Sequence, residues 1–362
     1  MKNLVFLKAT LFFLFSIAFT GLFSQTITTP RTPSPAANIT QTIGISTVHV
    51  NYSRPSVKNR EIWGALVPYG WNVEQFGTSA AAPWRAGANE NTVISFSHRA
   101  KVEGKEVPAG AYGLFFVINK DNTGELILSK DNKSWGNFFY DPANDQMRAN
   151  IQLRTIPNTD LLTYDFINLT KNSAELVLNW EKKQFPVKIE YAVDDIVMEN
   201  AATELKGAMG FGWQGYVSAV NYALQNKVNL NQALTWIDKA ITLNNSFTTQ
   251  STKSAVLTAM GRSEEAEKNI EAALPGAAEV EINAYGYQLL NAGKTGKALD
   301  IFKMNTVKFP KSANAWDSLG EAYTTADDKK NAIASFKKSL SLNPPANVKA
   351  NSEKYLKQLG AH

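Results

Sequence analysis

The sequence predicts a multi-domain protein with β and α parts: an antiparallel β-sandwich or jelly-roll-like domain, followed by an α-solenoid of helix pairs. In the first half, apolar and polar residues alternate along short segments that turn residues separate. In the second half, small, aromatic and proline residues recur every 34 residues. We therefore expect a signal peptide (1–24), an extended lead-in (25–40), a β domain (41–205), about four helical repeats (207–346) and a capping helix (347–362).

The strands follow from period-two alternation. Val48, Val50 and Tyr52 alternate with polar neighbours, and the segments 111–118, 125–129, 162–169 and 175–180 have similar character. Two further segments, 94–97 and 187–193, alternate in the same way. Many short strands at such spacing favour a sandwich or barrel.

The helical repeat rests on four positions, a glycine, an alanine, a phenylalanine and a proline. The glycine on the first helix lets the second helix approach, the alanine supplies a matching small position, and the phenylalanine fills the space between them. The proline ends the second helix because its nitrogen has no hydrogen to donate. The residues are Gly286, Ala298, Phe302 and Pro310 in one unit and Gly320, Ala332, Phe336 and Pro344 in the next.

This pattern closely resembles the tetratricopeptide (TPR) family, whose stacked helix pairs usually form a groove for a protein partner. Two earlier units, starting near Gln214, keep the second-helix pattern in weaker form, and Ser254 replaces the first-helix glycine. The resemblance implies protein–protein interaction, while a spacer or a dimer contact is the alternative. The groove residues expected on the first helices are Asn283, Tyr287, Leu290, Asn291, Asp317, Glu321, Thr324 and Thr325.

The N-terminus indicates export. Lys2 and Lys8 precede an apolar run, 11–19, and small residues follow that run. This order is typical of a signal peptide, with cleavage expected just before Gln25. No later stretch reaches the roughly 20 apolar residues of a transmembrane helix. The chain has no cysteine, which excludes a lipidated cysteine, disulfides and cysteine-ligated zinc. We expect a periplasmic or secreted protein with no transmembrane segment after cleavage.

The charge balance argues against a nucleic-acid partner. Loss of Lys2 and Lys8 with the signal peptide lowers the net charge from +5 to +3. The remaining basic residues form no stripe in either half, and scattered lysines are typical of solvated helix surfaces.

Short motifs of tryptophan, arginine, glycine and proline punctuate the β domain. They occupy residues 30–35, 52–55, 62–64, 66–70, 84–90, 108–112 and 135–136. In this order they resemble the DUF2911 family, a domain of unknown function common in envelope proteins of Bacteroidota, over about residues 28–195. The resemblance implies a fold rather than an activity. Residues 71–83 are an insertion relative to the family pattern and are expected to cover or reshape a neighbouring site.

Polar and aromatic residues of these motifs are candidates for ligand binding, because loops on a rigid scaffold often hold ligand contacts. Arginine binds carboxylates bidentately, asparagine and glutamate bind sugar hydroxyls, and indole rings stack on sugars. In the structural alternative, Arg85 and Glu90 form a buried ion pair and tryptophans such as Trp180 are core. The ligand candidates are Arg54, Lys58, Arg60, Trp71, Trp84, Arg85, Asn89, Glu90, Trp135, Tyr140 and Asp141.

Catalysis finds little support in the sequence. It contains no zinc-protease helix, no nucleophile elbow and no phosphate loop. Only His49 and His98 precede the terminal His362, and His98 is expected to be buried on a strand. We expect no catalytic residue, metal or cofactor, and hence a non-catalytic envelope protein. The alternatives are a module that binds polysaccharide and a glycoside or ester hydrolase that uses carboxylates such as Glu90 or Asp141.

Overall fold

A computed structural model describes residues 33–73 and 75–361, which form two compact units divided in the chain after Tyr191. The predicted signal peptide lies outside the described residues. No helix in the described part of the chain has the length and apolar character needed to cross a membrane.

The first unit consists of two antiparallel sheets, which confirms the predicted β architecture. Its strands are β1 (Ala36–Ile43), β2 (Ser46–Ser53), β3 (Val93–Phe96), β4 (Ala100–Val102), β5 (Lys105–Val107), β6 (Gly110–Ile118), β7 (Thr123–Ser129), β8 (Asp145–Gln152), β9 (Arg154–Ile167) and β10 (Ser173–Glu190). One sheet has the order β1-β2-β3-β6-β7-β8, and the other has the order β5-β4-β10-β9.

Alternation places the core side of each strand as predicted. Val48, Val50 and Tyr52 of β2 are buried, whereas the polar residues that alternate with them at 47, 49 and 51 are half-buried or exposed. The two strands predicted around residues 175–180 and 187–193 are parts of the single long strand β10. Its pairing with β9 shifts register on both sides of Glu181, whose φ is +53°. This irregularity interrupts the alternation of apolar and polar residues, so the sequence indicated two strands.

Aromatic rings from both sheets meet in the core of the β unit. Phe116 of β6 and Phe185 of β10 have ring centroids 4.9 Å apart. Trp180 of β10 stacks on Trp84 at 5.7 Å and 13°. The backbone of Trp84 exchanges two hydrogen bonds with that of Phe116, at 2.8 and 2.9 Å. Trp180 is almost fully buried, as expected for a core residue, and each such side chain stabilises the fold by about 1.5–3 kcal/mol.

The second unit is a stack of helices, which confirms the predicted solenoid. Within the described residues its helices are α1 (Val193–Glu204), α2 (Trp213–Asn226), α3 (Leu230–Leu243), α4 (Phe247–Ala259), α5 (Ser263–Ala273), α6 (Glu279–Asn291), α7 (Thr295–Lys308), α8 (Ala313–Thr325), α9 (Lys329–Ser341) and α10 (Ala346–Gln358). Four successive pairs, from α2/α3 to α8/α9, form the repeats, and α10 packs against the last pair.

The glycine positions explain how each pair closes. A Cβ atom added at Gly286 would lie 2.7 Å from the ring of Phe302, and one at Gly320 would lie 2.7 Å from the ring of Phe336. Both phenylalanines are fully buried. The first helix therefore needs glycine at this position, because any side chain would displace the ring that fills the pair.

Two boundaries differ from the prediction. Residues 36–40, expected in the extended lead-in, belong to β1, which pairs with β2 along its whole length. Residues 193–204, expected in the β domain, form α1, whose Met198 packs in the core of the helical unit. Asp194 and Asp195 in the first turn of α1 favour a helix N-terminus, which overrides the strand-like alternation that ends at Val193.

Replacing Gly320 with alanine should lower the free energy of unfolding by about 1–3 kcal/mol, because overpacking against Phe336 exceeds the gain in helix propensity of about 1 kcal/mol. Urea denaturation followed by far-UV circular dichroism measures the change.

Gly296 is the matched control, because it lies in α7 with no atom within 4 Å of an added Cβ. Gly296→Ala should be neutral or stabilise by up to about 1 kcal/mol. Equal losses in the two variants would contradict the packing role of Gly320.

Candidate functional site

A cleft of about 460 Å³ opens in the β unit. Its walls come from loop segments within residues 55–60, 66–72, 85–89 and 137–138, and Trp84 and Trp180 contribute to its lining. The volume falls within the roughly 300–1,000 Å³ of small-ligand sites. The cleft therefore lies directly beside the aromatic core that joins the two sheets.

Arg85 braces two walls of this cleft. Its Nη1 donates to the carbonyl oxygen of Asn89 at 2.8 Å, and its Nη2 donates to Oδ1 of Asn137 at 2.9 Å. The guanidinium also lies 5.0 Å from the ring centroid of Phe138. Gly136, with φ of +65°, leaves the space that the guanidinium occupies. Arg85 thus holds a fixed positive charge in the wall.

A tight turn presents two more cations. Lys58 and Asn59 have φ of +50° and +57°, and the backbone N–H of Lys58 donates to Oδ1 of Asp160 at 3.3 Å. Arg60 donates from Nε to the carbonyl oxygen of Val57 at 3.0 Å and from Nη2 to that of Ser56. The turn is therefore fixed by the Arg60 side chain and by the Asp160 carboxylate, and it brings Lys58 and Arg60 into the lining of the cleft.

The insertion, described at residues 71–73 and 75–83, packs beside the cleft. Asn72 pairs with Ala82 through backbone hydrogen bonds of 2.9 and 2.8 Å. The hydroxyl of Ser79 donates to the carbonyl oxygens of Asn137 and Tyr140, at 2.8 and 3.0 Å. The insertion therefore supports the segment that includes the cleft wall at Phe138.

A second cavity, of about 520 Å³, lies between Trp71, Tyr140, Asp141 and Arg148. The hydroxyl of Tyr140 donates to Asp145 at 2.8 Å, and Arg148 contacts both Asp145, at 2.6 Å, and that hydroxyl, at 3.0 Å. Burial, and then the Asp145 carboxylate, raise the pKa of Tyr140. Because these polar groups satisfy one another, this arrangement is structural.

The structure brings five ligand candidates together in the first cleft: Lys58, Arg60, Trp84, Arg85 and Asn89. Trp71, Tyr140 and Asp141 line the second cavity, and Asp141 also caps a short 3₁₀ turn by accepting from the backbone of Ala143 at 2.9 Å.

Three candidates line neither cavity. Glu90 is half-buried in the loop after Asn89, and Trp135 is on the surface. Trp135 is 51% exposed against 37% for Trp71. The structure corrects the prediction that Arg54 binds a ligand. Its guanidinium donates to the carbonyl oxygen of Leu162 at 2.9 Å and to the hydroxyl of Thr163 at 2.6 Å, and so fixes the end of β2 to β9.

The histidines of the β unit stand apart from the cleft. Thr40 and His49 share a hydrogen bond of 2.7 Å between neighbouring strands. His98 was expected to be buried on a strand, but β3 ends at Phe96 and His98 is half-buried in the bend that follows.

In the helical unit, four residues of α6 follow one another at intervals of three or four and so form one stripe. We call Val280, Asn283, Tyr287 and Leu290 the α6 stripe. Val280 is 68% exposed, and Oδ1 of Asn283 is buried with no hydrogen-bond donor among the described residues. Asn291, also predicted in the groove, is exposed at the end of α6.

The predicted groove of the last repeat is largely covered. Asp317 is only 5% exposed and accepts hydrogen bonds from Ser352 and, at 2.7 Å, from Asn351 of α10. Asn351 also donates to Glu321 at 2.5 Å. The prediction that Asp317 contacts a partner is therefore wrong, because α10 covers its side chain.

Thr324 and Thr325 of α8 bond within their own helix. The hydroxyl of Thr324 donates to the carbonyl oxygen of Gly320 at 2.8 Å, and that of Thr325 donates to Glu321 at 3.1 Å. Both hydroxyls are therefore already hydrogen-bonded to backbone oxygens of α8.

Family comparison agrees with both halves of this architecture. The family described as "Protein of unknown function (DUF2911)" matches residues 34–189, and a tetratricopeptide repeat matches residues 313–345. The chain therefore contains a DUF2911 domain followed by tetratricopeptide repeats, as its motifs predicted. Such repeats indicate a role in protein–protein interaction. No curated protein matches the chain.

Several solved structures are similar to part of the chain. YrrB, described as a TPR protein with an unusual peptide-binding site, is 17% identical with a TM-score of 0.30, over 44% of this chain and 84% of that one. PilF of Pseudomonas aeruginosa is 19% identical with a TM-score of 0.30, over 42% and 71%. PilW, a type IV pilus biogenesis factor, is 18% identical with a TM-score of 0.31, over 47% and 87%.

Replacing Arg85 with lysine should lower the free energy of unfolding by about 1–3 kcal/mol, because an ammonium cannot reproduce the planar fork between Asn89 and Asn137. Chemical denaturation followed by tryptophan fluorescence measures this loss.

Arg99→Lys is the control, since Arg99 is exposed and lies 3.7 Å from Glu106 at the surface. Its effect should stay within about 0.5 kcal/mol. If Arg85→Lys is as stable as this control, Arg85 is not a brace.

Proposed function

We propose that this chain is an exported, non-catalytic envelope protein that binds a protein partner through its tetratricopeptide repeats. The observation that supports this most directly is the α6 stripe. It places the exposed Val280 and the half-buried Leu290 on one helix face. Such a face suits a peptide that offers apolar side chains.

The apolar part of the stripe gains from burial by a partner. Full burial of a valine such as Val280 is worth about 1.5–3 kcal/mol relative to exposure. Tyr287 is already fixed, since its hydroxyl donates to Ser318 at 3.1 Å. The stripe is therefore pre-organised.

Export is supported by residues 1–24, whose basic start and apolar run resemble a signal peptide. The proposal of a non-catalytic role is supported by the structural use of the polar groups near both cavities. Arg85 and Tyr140 both serve as braces or buried bonding partners.

A second candidate function belongs to the DUF2911 domain. Its cleft combines indole rings with polar side chains such as Ser56, Asn72 and Asn89, a mixture that suits sugar rings. We propose carbohydrate binding there, as an activity separate from partner binding by the repeats.

Replacing Val280 with glutamate should reduce partner capture at least tenfold, because a charge enters the apolar part of the α6 stripe. The full-length chain, immobilised and exposed to an envelope extract, is compared with the variant by quantitative mass spectrometry. The partner is the protein whose recovery depends on Val280.

Val307→Glu is the matched control, because Val307 of α7 is 81% exposed and lies outside the stripe. Its captured proteins should equal those of the unmodified chain. A set of captured proteins that responds equally to both substitutions, or to neither, would contradict binding through the stripe.

Export predicts a defined N-terminus. The protein purified from its native cells should begin at Gln25, because signal peptidase removes the preceding segment. N-terminal sequencing of the periplasmic and secreted fractions tests this, and a cytoplasmic protein that retains residues 1–24 would refute export.

A further inference from the structure

The residues that line the cleft of the DUF2911 domain have one sign of charge. Lys58, Arg60 and Arg85 are basic, and no described residue in the lining is acidic. A concave site with apolar walls focuses such a field, so that an anion gains more there than on a flat surface. The charge of the cleft therefore selects for a negatively charged ligand.

The three cations are held in different ways. Arg85 is fixed by Asn89 and Asn137, and Arg60 is fixed by the carbonyl groups of its own turn. Lys58 is exposed, and in this turn its backbone rather than its ammonium makes the contact with Asp160. Lys58 is thus the cation best placed to move onto a ligand, while the two arginines supply fixed positive charge.

The remaining lining distinguishes a sugar from a simple anion. The half-buried Trp84, the exposed Leu66 and the small part of Trp180 that reaches the lining supply apolar surface, and Asn72 and Ser56 stand among them. A sugar ring has the complementary form, with an apolar C–H face and hydroxyl groups at its edge. Among the described residues of the lining there is no helix N-terminus, which is a common cradle for phosphate.

We propose that this cleft binds a carboxylate-bearing sugar, such as a uronic acid unit of an anionic polysaccharide. The inference rests on carbohydrate binding by the DUF2911 domain and adds the charge of the ligand. The ring packs against the indole side of the cleft, and its carboxylate lies toward Lys58 and Arg60.

Isothermal titration of the full-length chain tests the charge with a matched pair of ligands. Digalacturonate and its dimethyl ester share the same rings and differ in their carboxylates. We expect digalacturonate to bind at least tenfold more tightly than the ester. Its affinity should fall as ionic strength rises, because salt screens charges near the surface.

Lys58→Gln locates the binding in the cleft. We expect a twofold to fivefold loss of affinity for digalacturonate with an unchanged melting temperature, because one exposed ion pair contributes up to about 1 kcal/mol. Lys101→Gln is the control, since Lys101 lies on β4, outside the lining, and pairs with Glu106 at 3.5 Å. That variant should bind as the unmodified chain does.

The remaining outcomes test the charge preference, the recognition of a sugar and the location of the site separately. Equal binding of digalacturonate and its ester would overturn the charge preference and leave carbohydrate binding intact. Equal binding of digalacturonate and glutarate, a dicarboxylate without a ring, would contradict recognition of a sugar ring. If none of the three compounds gives a heat of binding, or if the Lys58→Gln variant binds digalacturonate normally, the cleft is not the binding site.

Discussion

The contact on which the β unit depends is the packing of aromatic rings between its two sheets. Phe116 on one sheet meets Phe185 on the other at 4.9 Å, and Trp180 stacks on Trp84 beside them. These rings exclude water from the core, and two of them, Trp84 and Trp180, also line the cleft. The stability of the fold and the shape of the candidate site therefore have the same physical source, because displacement of either indole would change both.

The helical unit depends on a different constraint, the absence of a side chain at the glycine of each well-formed pair. Gly320 admits the ring of Phe336, and the ring of Tyr355 from α10 stacks on Phe336 at 5.1 Å and 8°. Asn351 of α10, which lies 34 residues after Asp317, donates a hydrogen bond of 2.7 Å to the Asp317 carboxylate. The last helix thus occupies the position that another repeat would take.

The sequence predicts what depends on local pattern. Alternation identified β2, and the glycine and phenylalanine spacing identified the helix pairs, because each is a property of neighbouring residues. Contacts between distant segments left no such signal. Asn137 was missed as a partner of Arg85, 52 positions away, and Asp317 was assigned to a groove although α10 covers it.

The central claim is that the cleft beside the Trp84–Trp180 stack is a ligand site of the β unit. Indole N–H resonances in NMR spectra of the ¹⁵N-labelled full-length chain test it directly, since the chain has eight tryptophans in two separate units. Digalacturonate should shift the resonances of Trp84 and Trp180 and leave that of Trp316, in the helical unit, unchanged. Shifts confined to Trp316, or no shift at saturating sugar, would contradict the account.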